Sequence, residues 1–185
     1  GKRGFALASA ARDLGARTIL ISGPTSLAPP AGVKFESVET TAQMHKAVDR
    51  HFKKADCLIM AAAPADFSPG RQAGQKIKKN SSGMHLSLKP TVDILKEMGE
   101  KKKKGQVLIG FALETENGIA NARRKLKEKN LDLVVLNNPR DKNSAFDFDT
   151  NRVSLIRPGK KPDHWNLQNK SDVARKLLDA IAAML

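Results

Sequence analysis

The sequence contains no tyrosine, a single tryptophan and a single cysteine, Cys57, among its 185 residues. One cysteine excludes a disulfide framework within the chain and any metal site built from several thiolates. No apolar run approaches the roughly 18 residues of a membrane-spanning helix, and the first residues carry no signal-peptide pattern. A chain of 185 residues can enclose a hydrophobic core. We therefore expect a cytoplasmic domain with no membrane contact.

Aromatic residues are scarce, whereas basic residues are abundant. Lys and Arg number 33 against 19 Asp and Glu, a formal net charge of +14. Such a charge attracts polyanions, whether nucleic acid, nucleotide or phosphorylated metabolite. With 7 Phe, 1 Trp and no Tyr, few rings can stack on bases, so an RNA-binding surface is disfavoured. We interpret the densest basic run, residues 101–104, as a solvated helix end that complements the helix dipole.

Several standard site motifs are absent from the chain. No Gly-x-Gly-x-x-Gly follows a predicted strand and no Walker A motif occurs, so neither a standard dinucleotide site nor a P-loop is predicted. No serine lies in a nucleophile-elbow pattern. The histidines have no metal-ligand spacing; they are His45, His51, His85 and His164.

Helical and strand periods alternate from one end of the chain to the other. The pattern predicts helices at residues 4–15, after a cap at Thr41, after a cap at Thr91, at 115–129 and from Ser171. The residues predicted to face the core include Met44, Val48, Phe52 and Ile119. Apolar or alternating runs predict strands at 17–22, 33–39, 56–63, 84–89, 106–113, 131–137 and 152–156. This order predicts a doubly wound α/β domain, a Rossmann-like three-layer sandwich with a mostly parallel sheet and helices on both faces. No repeat or linker divides residues 1–185.

In such a sheet, ligands bind outside the carboxyl ends of the strands. That rule points to residues 22–24, 61–66, 111–115 and 137–138. Within the second segment, small side chains would let a ligand approach the backbone at Ala61, Ala62 and Ala63. Asp66 follows them, either as a ligand contact or as a turn former. Lys76 lies ten residues further on, close enough along the chain to share a ligand, and lysine suits phosphate as a point charge.

Two further groups allow more than one interpretation. Lys125 and Lys129 share a helix face beside an apolar stripe. Their amines point either into a cleft or into solvent, and in the second case their aliphatic chains cover the edge of the hydrophobic core. Asp147 and Asp149 form either half of a Mg²⁺ or Ca²⁺ site or a loop with Asx turns.

Seven segments together resemble one family in their order along the chain. They are GKRGFALASAARDLGA, ISGPTSLAPPAGV, AAAPADFSP, QKIKK, IGFALET, KLKEKNLDLVVLNN and FDFDTNRVSLI. These segments are similar to phosphopantothenoylcysteine synthetase, the domain that many bacteria fuse behind a flavin-dependent decarboxylase. The resemblance covers nearly the whole chain, and its most specific motifs are the ADF-x-P and K-I-K-K pair.

The resemblance implies ligation of 4′-phosphopantothenate to L-cysteine in coenzyme A biosynthesis, driven by CTP. The substrate carboxylate would attack the α-phosphate, giving an acyl-cytidylate and pyrophosphate, and the cysteine amine would then displace CMP. Cations, with Mg²⁺ assisting, would offset the crowded phosphate charge. The resemblance also implies a homodimer and no flavin in this domain.

The same resemblance implies roles for individual residues. The cytosine and ribose end of the nucleotide would be held by Ala61, Ala62, Ala63 and Asp66, and Phe111 would pack against the base. Lys125 and Lys129 would meet the triphosphate. A further nucleotide-contacting stretch matches Lys89, Pro90, Thr91 and Val92. Lys76 matches the lysine linked to conversion of the acyl-cytidylate, and is the candidate catalytic residue.

The family pattern usually starts with a strand and a Gly-rich segment that contains Asn and Arg. Residues 1–4 are all that corresponds to this segment in the chain. We therefore expect residues 1–185 to form a single, N-terminally truncated synthetase-like domain that lacks the first strand. The activity of the domain would depend on the segment that is absent from it. A rival hypothesis rests on the net charge of +14 and on the basic run at residues 101–104. It is a non-catalytic basic α/β module that binds RNA or another polyanion.

Overall fold

A computed structural model of the chain describes residues 1–71, 73–78, 84–137 and 150–185. In these residues the helices are α1 (Lys2–Asp13), α2 (Thr41–Phe52), α3 (Ile94–Lys101), α4 (Gly118–Glu128) and α5 (Lys170–Ala182). The strands are β1 (Ile19–Ser22), β2 (Lys34–Ser37), β3 (Cys57–Met60), β4 (Phe67–Pro69), β5 (Leu88–Pro90), β6 (Val107–Leu113), β7 (Leu133–Asn137), β8 (Thr150–Asn151), β9 (Val153–Ile156), β10 (Asp163–His164) and β11 (Gln168–Asn169). None of these helices is long and apolar enough to cross a membrane.

A five-stranded sheet in the order β10-β9-β7-β6-β3 forms the centre of the domain. β3, β6 and β7 run parallel, whereas β9 and β10 extend the sheet in antiparallel pairings. β1 and β2 form a separate parallel pair, and two further pairs, β4–β5 and β8–β11, are antiparallel. Among the described strands, β1 and β3 therefore each keep one edge without a strand partner.

Helices cover both faces of this sheet. Successive side chains of a strand point to opposite faces. In β7, Val134 and Leu136 pack with α2, α3 and α4, while Leu133 and Val135 pack with α1 and α5. Burial on both sides explains why β6 and β7 are nearly continuous apolar runs. The predicted α/β class, with helices on both faces of the sheet, is confirmed; the central sheet itself is mixed, with two parallel and two antiparallel pairings.

The N-cap of α2 and the first residue of α5 each lie one position before the residue predicted. The N-cap of α2 is Thr40, one residue before the predicted Thr41. Thr40 accepts a hydrogen bond from the Gln43 backbone N–H at 3.1 Å, and the Gln43 side chain accepts one from the Thr40 N–H at 3.1 Å. This reciprocal capping box fixes the start of the helix. α5 begins at Lys170, one residue before the predicted Ser171.

The predicted cap of α3 was also wrong. Asp93 caps it, because its carboxylate accepts from the Lys96 backbone N–H at 3.1 Å. Thr91 instead donates its hydroxyl to the Ala65 carbonyl at 2.6 Å, which ties the chain before α3 to the loop after β3. α4 covers Gly118–Glu128 and buries Ala122 and Leu126, but Ile119, predicted to face the core, is exposed.

α3 and α4 approach each other closely enough for backbone contact at Gly99. A Cβ at that position would lie 2.0 Å from the carbonyl oxygen of Lys129. The Asn130 side-chain amide donates to the Gly99 carbonyl at 2.8 Å and closes the contact. The ends of these two helices are therefore fixed against each other.

Candidate functional site

The segments after β3 and before α3 meet at the carboxyl edge of the sheet. β4 and β5 pair so that Phe67 lies opposite Pro90 and Ser68 opposite Lys89. The Thr91 N–H donates to the Asp66 carbonyl at 2.9 Å and extends the pairing. The structure thus brings residues 61–66 and 89–92, predicted separately as nucleotide contacts, into one region.

Side chains in this region are open to solvent. Ala62, Ala63 and Val92 are exposed, and Ala61 and Thr91 are half-buried. The Asp66 carboxylate is exposed and has no side-chain hydrogen bond or ion pair within the described ranges. A carboxylate of this kind is available to a ligand, so the ligand-contact interpretation of Asp66 remains a prediction.

Lys125 and Lys129 each end on a carboxylate at the same edge. The Lys125 ammonium lies 2.7 Å from Glu114 Oε1, and the Lys129 ammonium lies 2.7 Å from Asp93 Oδ2. Both lysine side chains are at most one-third exposed, which disagrees with amines extended freely into solvent. The two lysines therefore present positive charge at the carboxyl edge, on the side of the sheet covered by α4.

The two carboxylates stay ionised because of these contacts. The hydrogen bond from Lys125 is the main cause that lowers the pKa of Glu114. Burial raises the pKa of Asp93, but hydrogen bonds from Lys129 and from the Lys96 N–H outweigh it, and the net pKa is lowered. Sequence reasoning singled out neither carboxylate, since pairing between distant positions carries no local signal.

Lys76 is placed apart from these groups. It lies in an exposed loop, and no hydrogen bond or ion pair holds its amine in the part of the chain that the structure describes. No recorded contact of the described residues joins Lys76 to the ion pairs of Lys125 and Lys129, and its catalytic role stays a prediction.

Phe111 lies on the opposite face of the sheet from Lys125 and Lys129. It is half-buried with the residues of α1 and α5, and the Arg3 guanidinium carbon lies 5.2 Å from the centre of its ring. That distance allows a cation–π contact. A nucleotide that touched both Phe111 and the two lysines would have to lie across the end of the sheet.

Two further polar residues lie at this edge: Arg3, which sequence reasoning did not select, and Asn137, which belongs to the predicted segment 137–138. Arg3 lines a pocket with Phe111 and Val153, and burial lowers the pKa of its guanidinium. Asn137 lies directly opposite Val153, is 3% exposed, and its Oδ1 has no hydrogen-bond partner within the described residues. Unpaired buried polar atoms are uncommon, and they are candidates for ligand contacts. A lone polar residue ending the apolar run LVVLN was the available signal.

The basic run at residues 101–104 lies at the other edge of the sheet. Lys102, 12% exposed, donates to both carboxylate oxygens of Asp132 at 2.9 Å and to the Asn130 carbonyl at 2.8 Å. Asp132 precedes β7 and also accepts from the Leu108 N–H at 2.7 Å. Lys101 pairs with Asp49 and Glu97. The interpretation of this run as a solvated helix end was therefore wrong for Lys102, whereas Lys101 is exposed at the last residue of α3.

No cluster of three or more His, Cys, Asp or Glu side chains suited to a metal occurs in the described residues. The two candidate carboxylates at 147 and 149 lie outside those residues. Mg²⁺ in nucleotide sites is commonly held by one or two carboxylates together with the phosphates. A magnesium ion carried largely by its nucleotide is consistent with the exposed Asp66 and the ion-paired Glu114.

The pattern of small residues, lysines and unpaired polar atoms at one edge can be compared with known proteins. A family model described as the DNA/pantothenate metabolism flavoprotein C-terminal domain matches residues 1–185. The chain belongs to this family. The resemblance to the synthetase domain drawn from the sequence motifs is thereby confirmed.

Two curated relatives and one solved structure illustrate the match. The coenzyme A biosynthesis bifunctional protein CoaBC of Bacillus subtilis is 46% identical over 185 residues, covering 100% of this chain and 45% of that protein. A protein named cysteine/cysteine sulfinic acid decarboxylase, from an unknown prokaryotic organism, is 41% identical over 186 residues, covering 100% and 52%. A crystal structure of the C-terminal domain of CoaBC superposes with a TM-score of 0.82 at 39% identity, covering 100% and 82%. The chain spans about half the length of these curated relatives.

Proposed function

We propose that this domain ligates 4′-phosphopantothenate to L-cysteine in coenzyme A biosynthesis, using CTP and an acyl-cytidylate intermediate. The family match and the bifunctional relatives named for coenzyme A biosynthesis support the pathway. The main structural support for this reaction is the pair of amines on Lys125 and Lys129. Each amine lies 2.7 Å from a carboxylate oxygen at the carboxyl edge of the sheet. That edge is where α/β sheets bind nucleotides.

The charge requirements of the reaction fit this edge. A triphosphate, a leaving pyrophosphate and a phosphorylated acid would crowd together, so fixed cations would stabilise both the bound state and the transition state. Lys125 and Lys129 would contact the phosphates, and residues 61–66 and 89–92 would hold the base and ribose. Lys76, on its exposed loop, would stabilise the acyl-cytidylate or orient it toward the cysteine amine. Mg²⁺, held mainly by the phosphates, would neutralise part of their charge.

Arg3 and Asn137 are candidate contacts for the acid substrate. Arg3 provides guanidinium donors without a counter-ion in the described residues, and Asn137 provides an unpaired acceptor at the end of β7. An acid that also carries hydroxyl and amide groups would satisfy both kinds of group. We therefore propose that 4′-phosphopantothenate contacts Arg3 and Asn137, and that Phe111 packs against the base of the nucleotide.

The rival hypothesis of a non-catalytic polyanion-binding module receives less support. Its main argument was the basic run at residues 101–104, and Lys101 and Lys102 are engaged by acidic side chains of the fold. The family match also favours a metabolic enzyme.

Two copies of the domain would associate through the β4–β5 pair. Phe67, Pro69 and Leu88 share one face of that pair by register, and Phe67 and Leu88 are more than half exposed. Met84 and Leu86, just before β5, are exposed as well. An isolated two-stranded sheet is marginally stable, and an exposed apolar surface is typical of an interface.

A fused flavin-dependent decarboxylase would account for the part of the bifunctional relatives that the chain does not match.

The test of the proposed reaction is the order of product formation. Full-length protein is incubated with CTP, Mg²⁺ and 4′-phosphopantothenate, and pyrophosphate is measured before and after L-cysteine is added. We expect pyrophosphate in the first stage and CMP with the ligated product in the second. Absence of pyrophosphate together with tight, salt-sensitive RNA binding would favour the polyanion-binding module instead.

A further inference from the structure

Glu114 is held more rigidly than most surface carboxylates. It follows β6 directly, and its backbone N–H donates to the Asn137 carbonyl at the end of β7, at 3.1 Å. Its Oε2 accepts a hydrogen bond from the Asn121 amide of α4 at 2.9 Å. The side chain is 18% exposed. Strand end, neighbouring strand and helix therefore together fix the position of this carboxylate.

The partner of Glu114 is a flexible cation. Lys125 has four rotatable side-chain bonds, and a free lysine loses considerable rotamer entropy when it is ordered. In the structure its ammonium donates to Glu114 Oε1 at 2.7 Å, and the side chain remains one-third exposed. An ammonium has three N–H donors, and Glu114 is the one partner recorded for Lys125 in the described residues. Two donors therefore remain for another acceptor.

We propose that Glu114 is a positioning residue that holds the Lys125 ammonium at the carboxyl edge for the phosphates of a nucleoside triphosphate. The inference rests on the proposed function of this site. Glu114 does not touch the nucleotide in this arrangement; it orders the amine in advance, so that binding does not have to order it. Asn121 orients the carboxylate in turn and leaves Oε1 for the lysine.

Glu114 could instead weaken nucleotide binding through its negative charge. The direction in which CTP affinity changes when Glu114 is neutralised distinguishes this effect from a positioning role. A carboxylate beside the phosphates would repel them, so a residue acting by charge alone would weaken nucleotide binding, and its neutralisation would tighten it. A positioning residue has the reverse signature. Replacing Glu114 by glutamine keeps its shape but loses the charge that holds the amine, so binding weakens although a negative charge has been removed.

The experiment measures CTP affinity by calorimetry, with Mg²⁺, in the full-length protein and four variants. For Glu114→Gln we expect a loss of about fivefold, the size of one ordinary net hydrogen bond. Glu128→Gln removes the same charge from an exposed position on α4 and should leave CTP affinity unchanged. In a Lys125→Ala background, Glu114→Gln should have no further effect, because Glu114 acts through Lys125. A purely structural role would lower affinity equally in both backgrounds.

A second variant covers the case in which Glu114→Gln folds poorly. Asn121→Ala keeps both charges and removes the amide that orients the carboxylate, so we expect a smaller loss of CTP affinity in the same direction. Unchanged or tighter CTP binding in both Glu114→Gln and Asn121→Ala overturns the inference. If the unsubstituted protein binds CTP and forms pyrophosphate while these variants match it, the inference alone fails. If the unsubstituted protein does not bind CTP, the proposed function fails and the inference fails with it.

Discussion

Replacing Lys102 by alanine tests whether the basic run belongs to the fold or to a binding surface. The substitution removes the amine that donates to both Asp132 oxygens and to the Asn130 carbonyl. Asp132 would keep one of its partners, the Leu108 N–H at 2.7 Å. The carboxylate would therefore lose its counter-charge while remaining hydrogen-bonded to β6.

The magnitude follows from the exposure of the two side chains. Removing one partner of a fully buried ion pair costs about 3–5 kcal/mol. Lys102 is 12% exposed but Asp132 is 31% exposed, so water can partly resolvate the remaining carboxylate. Net hydrogen bonds to charged groups contribute about 1.5–3 kcal/mol. We therefore expect Lys102→Ala to lower the free energy of unfolding by about 2 kcal/mol.

Urea denaturation at neutral pH measures this effect. For a domain of this size the denaturant slope is about 2 kcal/mol/M, so the midpoint should fall by about 1 M with the slope unchanged. Lys104→Ala is the matched control, because Lys104 belongs to the same run, is exposed, and makes no hydrogen bond or ion pair within the described ranges. Its free energy of unfolding should stay within about 0.5 kcal/mol of that of the unsubstituted protein. Equal midpoints for the two variants would refute the structural assignment of Lys102.

Three further predictions concern the site, the pH response and the assembly. Lys76→Gln should still form the acyl-cytidylate but transfer it slowly to cysteine; an unchanged turnover would remove Lys76 from the mechanism. Because Lys125 lowers the pKa of Glu114, their ion pair stabilises the fold above the ordinary pKa of 4.5, and this contribution is lost as pH falls through the folded-state pKa. The urea midpoints of Glu114→Gln and the unsubstituted protein should therefore differ near neutrality and converge in acid, and a difference that persists in acid would contradict the reasoning. Leu88→Lys should convert a dimer into monomers in sedimentation experiments, whereas a dimer that survives it would exclude the β4–β5 face as the interface.

Hydrophobic periodicity predicted the parts of the fold in which burial is decided along a single element. Met44, Val48 and Phe52 of α2 are all buried as expected, since the three share one face of a regular helix. The same reasoning failed at Ile119, which lies in the first turn of α4 and is exposed to solvent. Periodicity identifies the apolar stripe but not where the neighbouring element ends.

The helix starts show a second limit of sequence reasoning. Thr40 and Thr41 are adjacent threonines, and only the side chain of Gln43 decides between them. The carboxyl-edge rule predicted the region of the site but not its pairings, because contacts such as Lys129 with Asp93 join positions far apart in the chain. Arg3 and Phe111 are an example of the same kind, brought together by the packing of α1 on the sheet.

The contact between α3 and α4 at Gly99 also bears on the position of Lys129. Since a Cβ there would lie 2.0 Å from the Lys129 carbonyl oxygen, any side chain at position 99 would force the two helices apart. Asp93 caps the first helix and Lys129 ends the second, so their ion pair joins the same two helices. A substitution at Gly99 would therefore also displace the Lys129 ammonium from Asp93, although position 99 is not itself a candidate site residue.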